Sequence, residues 1–236
     1  MSFYSYPKIP TVYERDMEGT KLLKIGVYSS PTLEVLSNIE WVGTEKFDGT
    51  NVGIVWDGHD ITFQGRTEKS AFSAVQYKFL EDTFKNEETE QIFEQMFEDR
   101  PVVLFGELVG KGIQKAGQFY CSDGLRFIPF DLLLAEQGDK PEIWANHGVF
   151  GLFCAGLNLH PAPEVFSGSL FDAAAYVNNL PSSSLGPIVM EGLVMRPKVE
   201  LRDNQGKRVI CKIKAEDFKD KGVIKDANLK YQEAQA

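Results

Sequence analysis

One lysine, two glutamates and a further pair of lysines carry the chemistry this sequence can offer. The first stands in Glu45-Lys46-Phe47-Asp48-Gly49-Thr50-Asn51, where Asp-Gly supplies a tight bend just after the basic residue. Glycine at such a bend lets the backbone come close to a phosphate. The same residues would equally serve a plain turn beside a solvated lysine. A free lysine amine, with a pKa of about 10.4, is a poor nucleophile at neutral pH. Neighbouring cations or a metal must favour its neutral form before it can attack. Lys46 as a nucleophile therefore calls for positive charge, and for a divalent ion, elsewhere in the chain.

The run Arg208-Val209-Ile210-Cys211-Lys212-Ile213-Lys214 meets the first demand. On a strand its alternation places Val209, Cys211 and Ile213 on one face, and Lys212 with Lys214 on the other. Two lysines so placed either face water or clamp the phosphates of a nucleotide, where they would also favour the neutral form of a nearby lysine. Two carboxylates sit where apolar strands meet glycine: Glu107 after Val102–Gly106, and Glu191 before Gly192. An acid in so apolar a setting is costly unless it is paired or holds a metal. One would recognise ribose hydroxyls and the other serve a metal, or both form structural salt bridges.

The elements that must position these residues follow from periodicity. Alternating apolar runs on either side of Asp57-Gly58 predict a hairpin beginning at Trp41. Apolar residues at helical intervals between Ser70 and Asp99 predict one or two amphipathic helices. Strands are expected at Val102–Phe105, Arg126–Leu134 and in both the IVMEGLVMRP and RVICKIK segments, and helices at Trp144–Leu157 and Ser169–Leu180. The first forty residues, with Pro7, Pro10 and Pro31, read as irregular with short strands. Without regular βαβ alternation the pattern favours an α+β fold with antiparallel sheets. No polar linker divides the chain, so a single domain over residues 1–236 is expected.

In order along the chain, EKFDGTN, QGRT, LFGELVG, RFIPFDLLL, MEGLVMRP and CKIK resemble the motifs of the covalent nucleotidyltransferase superfamily of ATP-dependent ligases and RNA-capping enzymes. Asn51 and the EGLVMRP form look most like RNA ligases of the bacteriophage and RNA-editing type. The resemblance runs from about Gly43 to Ala215 and implies a nucleotidyltransferase (ligase adenylation domain) fold of antiparallel sheets flanked by helices. It also implies roles. Lys46 would take AMP as a phosphoramidate. Glu45 and the backbone beside it would contact adenine, with Phe127 stacking on the base and Phe130 as a second candidate. Asn51, Arg66 and Glu107 would hold ribose and the α-phosphate. Glu191 would serve a Mg²⁺ or Mn²⁺ site, with Glu107 as a further metal ligand. Lys212 and Lys214 would neutralise the phosphates of ATP and the charge that develops on phosphoryl transfer.

The implied activity joins a 5′-phosphate to a 3′-hydroxyl on RNA, at a nick, a single-strand end or a bridged break, through lysyl-AMP and an adenylylated strand end. A minimal DNA ligase shares this logic, as does a capping-type guanylyltransferase; a non-catalytic nucleotide-binding module would keep the fold without the chemistry. Relatives commonly carry a further C-terminal domain. Only 22 residues follow Lys214, so no such domain is expected here, which leaves open whether a protein partner supplies its role.

Composition narrows the field further. The chain has 236 residues, 43% hydrophobic and 25% charged, which suits a packed globular core. Three widely spaced cysteines, without a CxxC pair, exclude a zinc-type site and fit a reduced, intracellular setting. There is no secretory signal, and the most apolar stretch, Val149–Leu159, is too short to cross a bilayer. The net charge of −9 speaks against a polyanionic partner, but it is unevenly spread. Glu81–Arg100 has eight acidic and two basic residues, while Leu201–Lys230 has nine basic and five acidic ones. The acidic stretch reads as a solvated helical face.

Overall fold

The computed structural model describes residues 3–234. The chain expected as one domain divides into two compact units, each built from two stretches of sequence. One comprises Asp48–Ala162 with the N-terminal residues up to Pro7; the other comprises Lys8–Phe47 and the chain from Pro163 onward. The chain passes between them at Pro7–Lys8, Phe47–Asp48 and Ala162–Pro163, three short crossings without a long polar linker.

The second unit begins with a two-stranded ribbon, β1 (Tyr13–Arg15) and β2 (Leu23–Tyr28), and a short helix α1 (Pro31–Val35). Ser30 caps that helix, and Pro31 at its first position needs no hydrogen-bond partner. The strand β3 (Trp41–Lys46) follows. From this point the chain builds the first unit.

There, β4 (Thr50–Trp56) and β5 (Ile61–Gly65) form the expected hairpin around Asp57-Gly58. They are followed by the helices α2 (Ala74–Phe84) and α3 (Glu87–Phe97), the strand β6 (Val102–Gly110), and a single helical turn α4 (Gly117–Tyr120). The strands β7 (Leu125–Leu134) and β8 (Ile143–Trp144) and the helix α5 (His147–Gly156) complete it. The sheet is antiparallel in the order β5-β4-β6-β7-β8. Alternation gives it two apolar faces. Val52, Ile54, Leu104 and Leu108 pack beneath the helices with Leu80, Phe84, Phe93 and Phe153. Val55, Val103 and Phe105 face the other way, where Tyr6 packs edge-on to Phe105, Phe130 and Trp144 and donates to the buried Asp131 at 2.8 Å. The acidic stretch runs from the last turn of α2 through α3. The first-turn Glu87, Glu88 and Glu90 of α3 suit the positive end of the helix dipole, and Phe93 and Phe97, four apart, are buried.

After Ala162 the chain returns to the second unit with β9 (Glu164–Gly168), the helix α6 (Leu170–Asn178), β10 (Gly192–Pro197) and β11 (Cys211–Lys214). A 3-10 turn at Ala215–Asp217 and the helix α7 (Lys221–Glu233) follow. These strands and β3 form an antiparallel sheet in the order β11-β10-β3-β9. Trp41, Leu193, Met195, Cys211 and Ile213 point inward against Leu170, Ala173 and Val177 of α6. All three cysteines are free thiols; burial holds Cys154 up at about 12 and raises Cys211 further. The helix α7 has no fully buried residue. It docks through Ile224, Ala227 and Tyr231, and the Tyr231 hydroxyl donates to the Leu180 carbonyl at 2.8 Å.

Candidate active site

In the second unit the outer face of the four-stranded sheet collects the basic residues. Trp41 is fully buried on β3, so alternation turns Val42, Thr44 and Lys46 outward. Cys211 and Ile213, at 0% exposure, likewise turn Lys212 and Lys214 outward, as the sequence predicts. Between these strands lies β10. Gly192 stands opposite Lys46 on one side and opposite Lys214 on the other, and Val194 is flanked in the same way by Thr44 and Lys212. Register alone thus brings Lys46 onto the same sheet face as Lys212 and Lys214, on the two strands that flank β10.

Gly192 is required for that arrangement. A Cβ there would collide with the Ile213 carbonyl and lie 2.8 Å from the Lys214 Cα. Backbone approach, not a turn, is the reason for glycine at this point.

Glu191, immediately before β10, places its carboxylate between the two amines. Its Oε2 accepts from Lys46 Nζ at 2.7 Å, and its Oε1 lies 3.3 Å from Lys214 Nζ. The Ala215 amide donates to the Glu191 carbonyl at 2.9 Å and fixes the backbone there. Lys214 also pairs with Glu216, two residues on. Burial works to lower the Lys214 pKa, but its bonds to Glu216 and Glu191 prevail and raise it; the same bond to Lys214 lowers Glu216. Glu216 has no role among the residues singled out from the sequence, although an acid two residues beyond Lys214 is a signal for it.

Glu45 goes elsewhere. Being adjacent to Lys46 on a strand it points to the opposite face, where it is 2% exposed. Ser183 Oγ donates to one of its oxygens at 2.5 Å and the Ser184 amide to the other at 2.9 Å. The side chain that the family resemblance assigns to adenine is thus engaged by the protein's own Ser183 and Ser184. Its carboxylate ties the 181–190 segment, which leads into Glu191, to β3.

In the first unit Asn51 on β4 pairs directly with Glu107 on β6, both half-buried and on the same face of the sheet. Gly49 lets the chain run close over this pair, since a Cβ there would lie 2.8 Å from the Glu107 side chain. Arg66 is exposed just beyond the end of β5. Phe127 is 4% exposed, packs edge-to-face on Phe84 with ring centroids 5.3 Å apart, and covers Gly106. The open stacking face expected at Phe127 is thus absent, because the ring belongs to the core beneath α2. Phe130, an odd number of residues away, lies on the other face beside Tyr6.

The sequence profile of the RNA ligase family matches residues 39–214, which include Lys46, Asn51, Arg66, Glu107, Glu191, Lys212 and Lys214. The chain belongs to the RNA ligase family. Among solved structures, a point mutant of Naegleria gruberi RNA ligase with ATP and Mn superposes with a TM-score of 0.58 at 18% identity, over 90% of this chain and 63% of that one. The same ligase with PPi gives 0.57 at 18% identity, over 90% and 62%. An apo mutant gives 0.59 at 18% identity, again over 90% and 62%. At this identity the likeness establishes the fold, the α+β arrangement of antiparallel sheets and flanking helices that the motifs imply. This chain spans less than two thirds of the length of those ligases. No curated protein matches the sequence.

As a member of the RNA ligase family, the chain can be asked how it would hold a divalent ion. Among the described residues no three His, Cys, Asp or Glu side chains gather into a metal cage. Glu191 stands instead as a single carboxylate between two lysines. That donor set fits Mg²⁺ or Mn²⁺ in the form Mg²⁺ commonly takes, held by one carboxylate, several waters and the phosphates of a substrate. No helix among the described residues is long and apolar enough to cross a membrane.

Proposed function

We propose that this member of the RNA ligase family is an ATP-dependent RNA ligase that works through a covalent lysyl-AMP at Lys46. The observation that carries the reading is the convergence of Lys46, Glu191 and Lys214 on one sheet face, with Lys212 one register step away. The structures of the Naegleria gruberi ligase that share the fold hold ATP with Mn, or PPi, and support the choice of nucleotide and ion.

The Lys46 amine attacks the α-phosphorus of ATP. A P–N bond forms, the bond to the bridging oxygen breaks, pyrophosphate leaves, and the amine gives up a proton to solvent. An oxygen of a 5′-phosphate then attacks the same phosphorus, which frees the lysine and leaves an adenylylated end. A 3′-hydroxyl finally attacks the phosphorus of that 5′-phosphate, a phosphodiester forms, and AMP departs. Each step transfers a phosphorus centre within reach of the same cations, so one cradle suffices for all three.

The residues set the conditions for the first step. The ion pair with Glu191 is made by the ammonium form of Lys46, which has no lone pair with which to attack. A divalent ion held by Glu191 would draw that carboxylate away from the Lys46 amine. Lys212 and Lys214 then offer positive charge to the phosphates and to the departing pyrophosphate. Bound there, the ion supplies further neutralisation of phosphate charge. In the first unit Asn51, Arg66 and Glu107 are the proposed contacts to ribose and α-phosphate, with Glu107 also a candidate metal ligand.

Intact mass measurement after mixing with ATP and Mg²⁺ tests the reading. Wild type should gain the mass of one AMP, Lys46→Ala should not, and a chase with RNA bearing a 5′-phosphate and a 3′-hydroxyl should remove it and lengthen the strand. Labelling by GTP in place of ATP, or sealing of DNA alone, would replace RNA ligation with capping or DNA ligation.

A further inference from the structure

The N-terminal segment runs beside the lysine strand. Thr11 forms a parallel bridge with Lys212; the Lys212 amide donates to the Pro10 carbonyl at 2.9 Å, and the Val12 amide donates to the Lys212 carbonyl at 3.0 Å. Three residues later Arg15, at the end of β1, donates to Asp217, which lies just past β11 and is 0% exposed. The other oxygen of Asp217 accepts from the Lys214 amide at 3.2 Å. The segment from Pro10 to Arg15 thus meets Lys212 at its start and Asp217 at its end. It adds an edge strand at one end and a charged pin at the other.

A carboxylate with no exposure needs its partners, and Asp217 takes a guanidinium and a backbone amide. Arg15 is itself held, since its second nitrogen donates to the Lys21 carbonyl at 2.5 Å across the β1–β2 turn. The pinned turn controls two reactive groups together. Asp217 fixes the backbone of Lys214, and Ala215, within the same turn, donates to the Glu191 carbonyl. The hydrogen bonds of Arg15 go to Asp217 and the Lys21 carbonyl, and its charge also favours the charged form of Glu216, so its hold on Lys214 and Glu191 is indirect.

We infer that Arg15 is a positioning residue for nucleotidyl transfer, acting through buried Asp217 to set Lys214 and Glu191 against Lys46. The inference rests on the reading of Lys46 as nucleophile and Lys214 as phosphate ligand. A displacement of about 1 Å at a reacting group costs on the order of a hundredfold in rate. Arg15 therefore governs how fast the lysine is adenylylated. The amount of protein that can be adenylylated is a separate quantity, and the two readouts distinguish positioning from mere support of the fold.

The experiment follows AMP incorporation into the full chain by intact mass at saturating ATP and Mg²⁺, recording rate and end point separately. Arg15→Ala is expected to lose on the order of a hundredfold in rate, with the same end point and an unchanged KM for ATP. Arg15→Lys should recover part of the loss, and millimolar guanidinium added to Arg15→Ala should recover more. A folded Arg15→Ala that labels at the wild-type rate overturns the inference, as does a loss confined to the end point. If Arg15→Ala does not fold, Asp217→Asn, which keeps the shape and an acceptor for the Lys214 amide, takes its place; a normal rate in that variant overturns the inference too. Wild type that gains no AMP at all would instead sink the proposed function, and that result is distinct from the others.

Discussion

The amine of Lys46 meets the carboxylate of Glu191 at 2.7 Å although 145 positions separate them in sequence. The contact follows from strand register. Lys46 ends β3 opposite Gly192, the first residue of β10, so the residue just before β10 lands beside the lysine. Lys214, opposite Gly192 on the far side, reaches the same carboxylate at 3.3 Å. A glutamate shared by two lysines holds both amines in place, and its removal should be felt by both.

Glu191→Gln and Glu191→Ala should each lower the rate of AMP incorporation by on the order of a hundredfold, since they misplace two lysines and remove the carboxylate offered to a divalent ion. Lys46 and Lys214 keep partial contact with water, with side chains 27% and 22% exposed, so stability should fall by only about 1 kcal/mol. Quench-flow labelling checks the rate and thermal unfolding checks the stability. Near-wild-type labelling by the glutamine variant would remove Glu191 from the chemistry.

Gly192→Ala should be worse for activity than for folding. The added methyl meets the Ile213 carbonyl and the Lys214 backbone, so β10 and β11 must part. Forcing a methyl into packed structure costs about 1–3 kcal/mol. The same displacement moves Lys214 away from Glu191 and Lys46, and adenylylation should drop by on the order of a hundredfold at a temperature where the variant is still folded. Circular dichroism and labelling of one sample separate the two effects. Full activity would mean that the lysine spacing is not critical.

Strand periodicity made much of this site readable. The β4–β5 hairpin, the helices α2 and α3, and the outward pair Lys212 and Lys214 all follow from spacings of two or of three to four residues. The same rule of two, carried one step further, turns Glu45 away from Lys46 and sets Phe127 and Phe130 on opposite faces; a role taken from family resemblance alone passes over that parity. Other features left no local trace. The division into two units depends on contacts between distant segments. The pairing of Arg15 with Asp217 joins positions 202 residues apart, and α7 buries no residue fully, so neither announces itself in a window of sequence.

Phe127→Ala tests the corrected placement of that ring. With 4% exposure, Phe84 at its edge and Gly106 beneath it, the side chain fills core volume that nothing nearby can replace. Truncating a buried Phe costs about 3–5 kcal/mol. In a domain of this size each kcal/mol lowers the melting temperature by about 2–4 °C, so a fall of at least several degrees is expected in calorimetry. An unchanged melting temperature would return Phe127 to the list of free stacking faces.

The bond between Lys214 and Glu216 predicts a particular dependence on pH. Glu216 titrates below the ordinary carboxylate range because Lys214 bonds its charged form, against a smaller opposing effect of burial. A group lowered in this way contributes stability above its unfolded pKa and loses it as pH falls through the folded one. Lys214 is raised, so its contribution is complete below the ordinary lysine range and disappears only as pH climbs above it. The pair should therefore be intact across neutrality and fail in acid below about pH 4.3, the unperturbed value for glutamate. Glu216 is half-exposed, which screens the interaction, and Glu216→Gln should change stability at neutral pH by less than about 1 kcal/mol. Between about pH 5 and pH 3 the wild type should lose melting temperature more steeply than Glu216→Gln, because only the wild type takes up that proton on unfolding. Parallel curves for the two proteins would show that Lys214 does not hold Glu216 in its charged form.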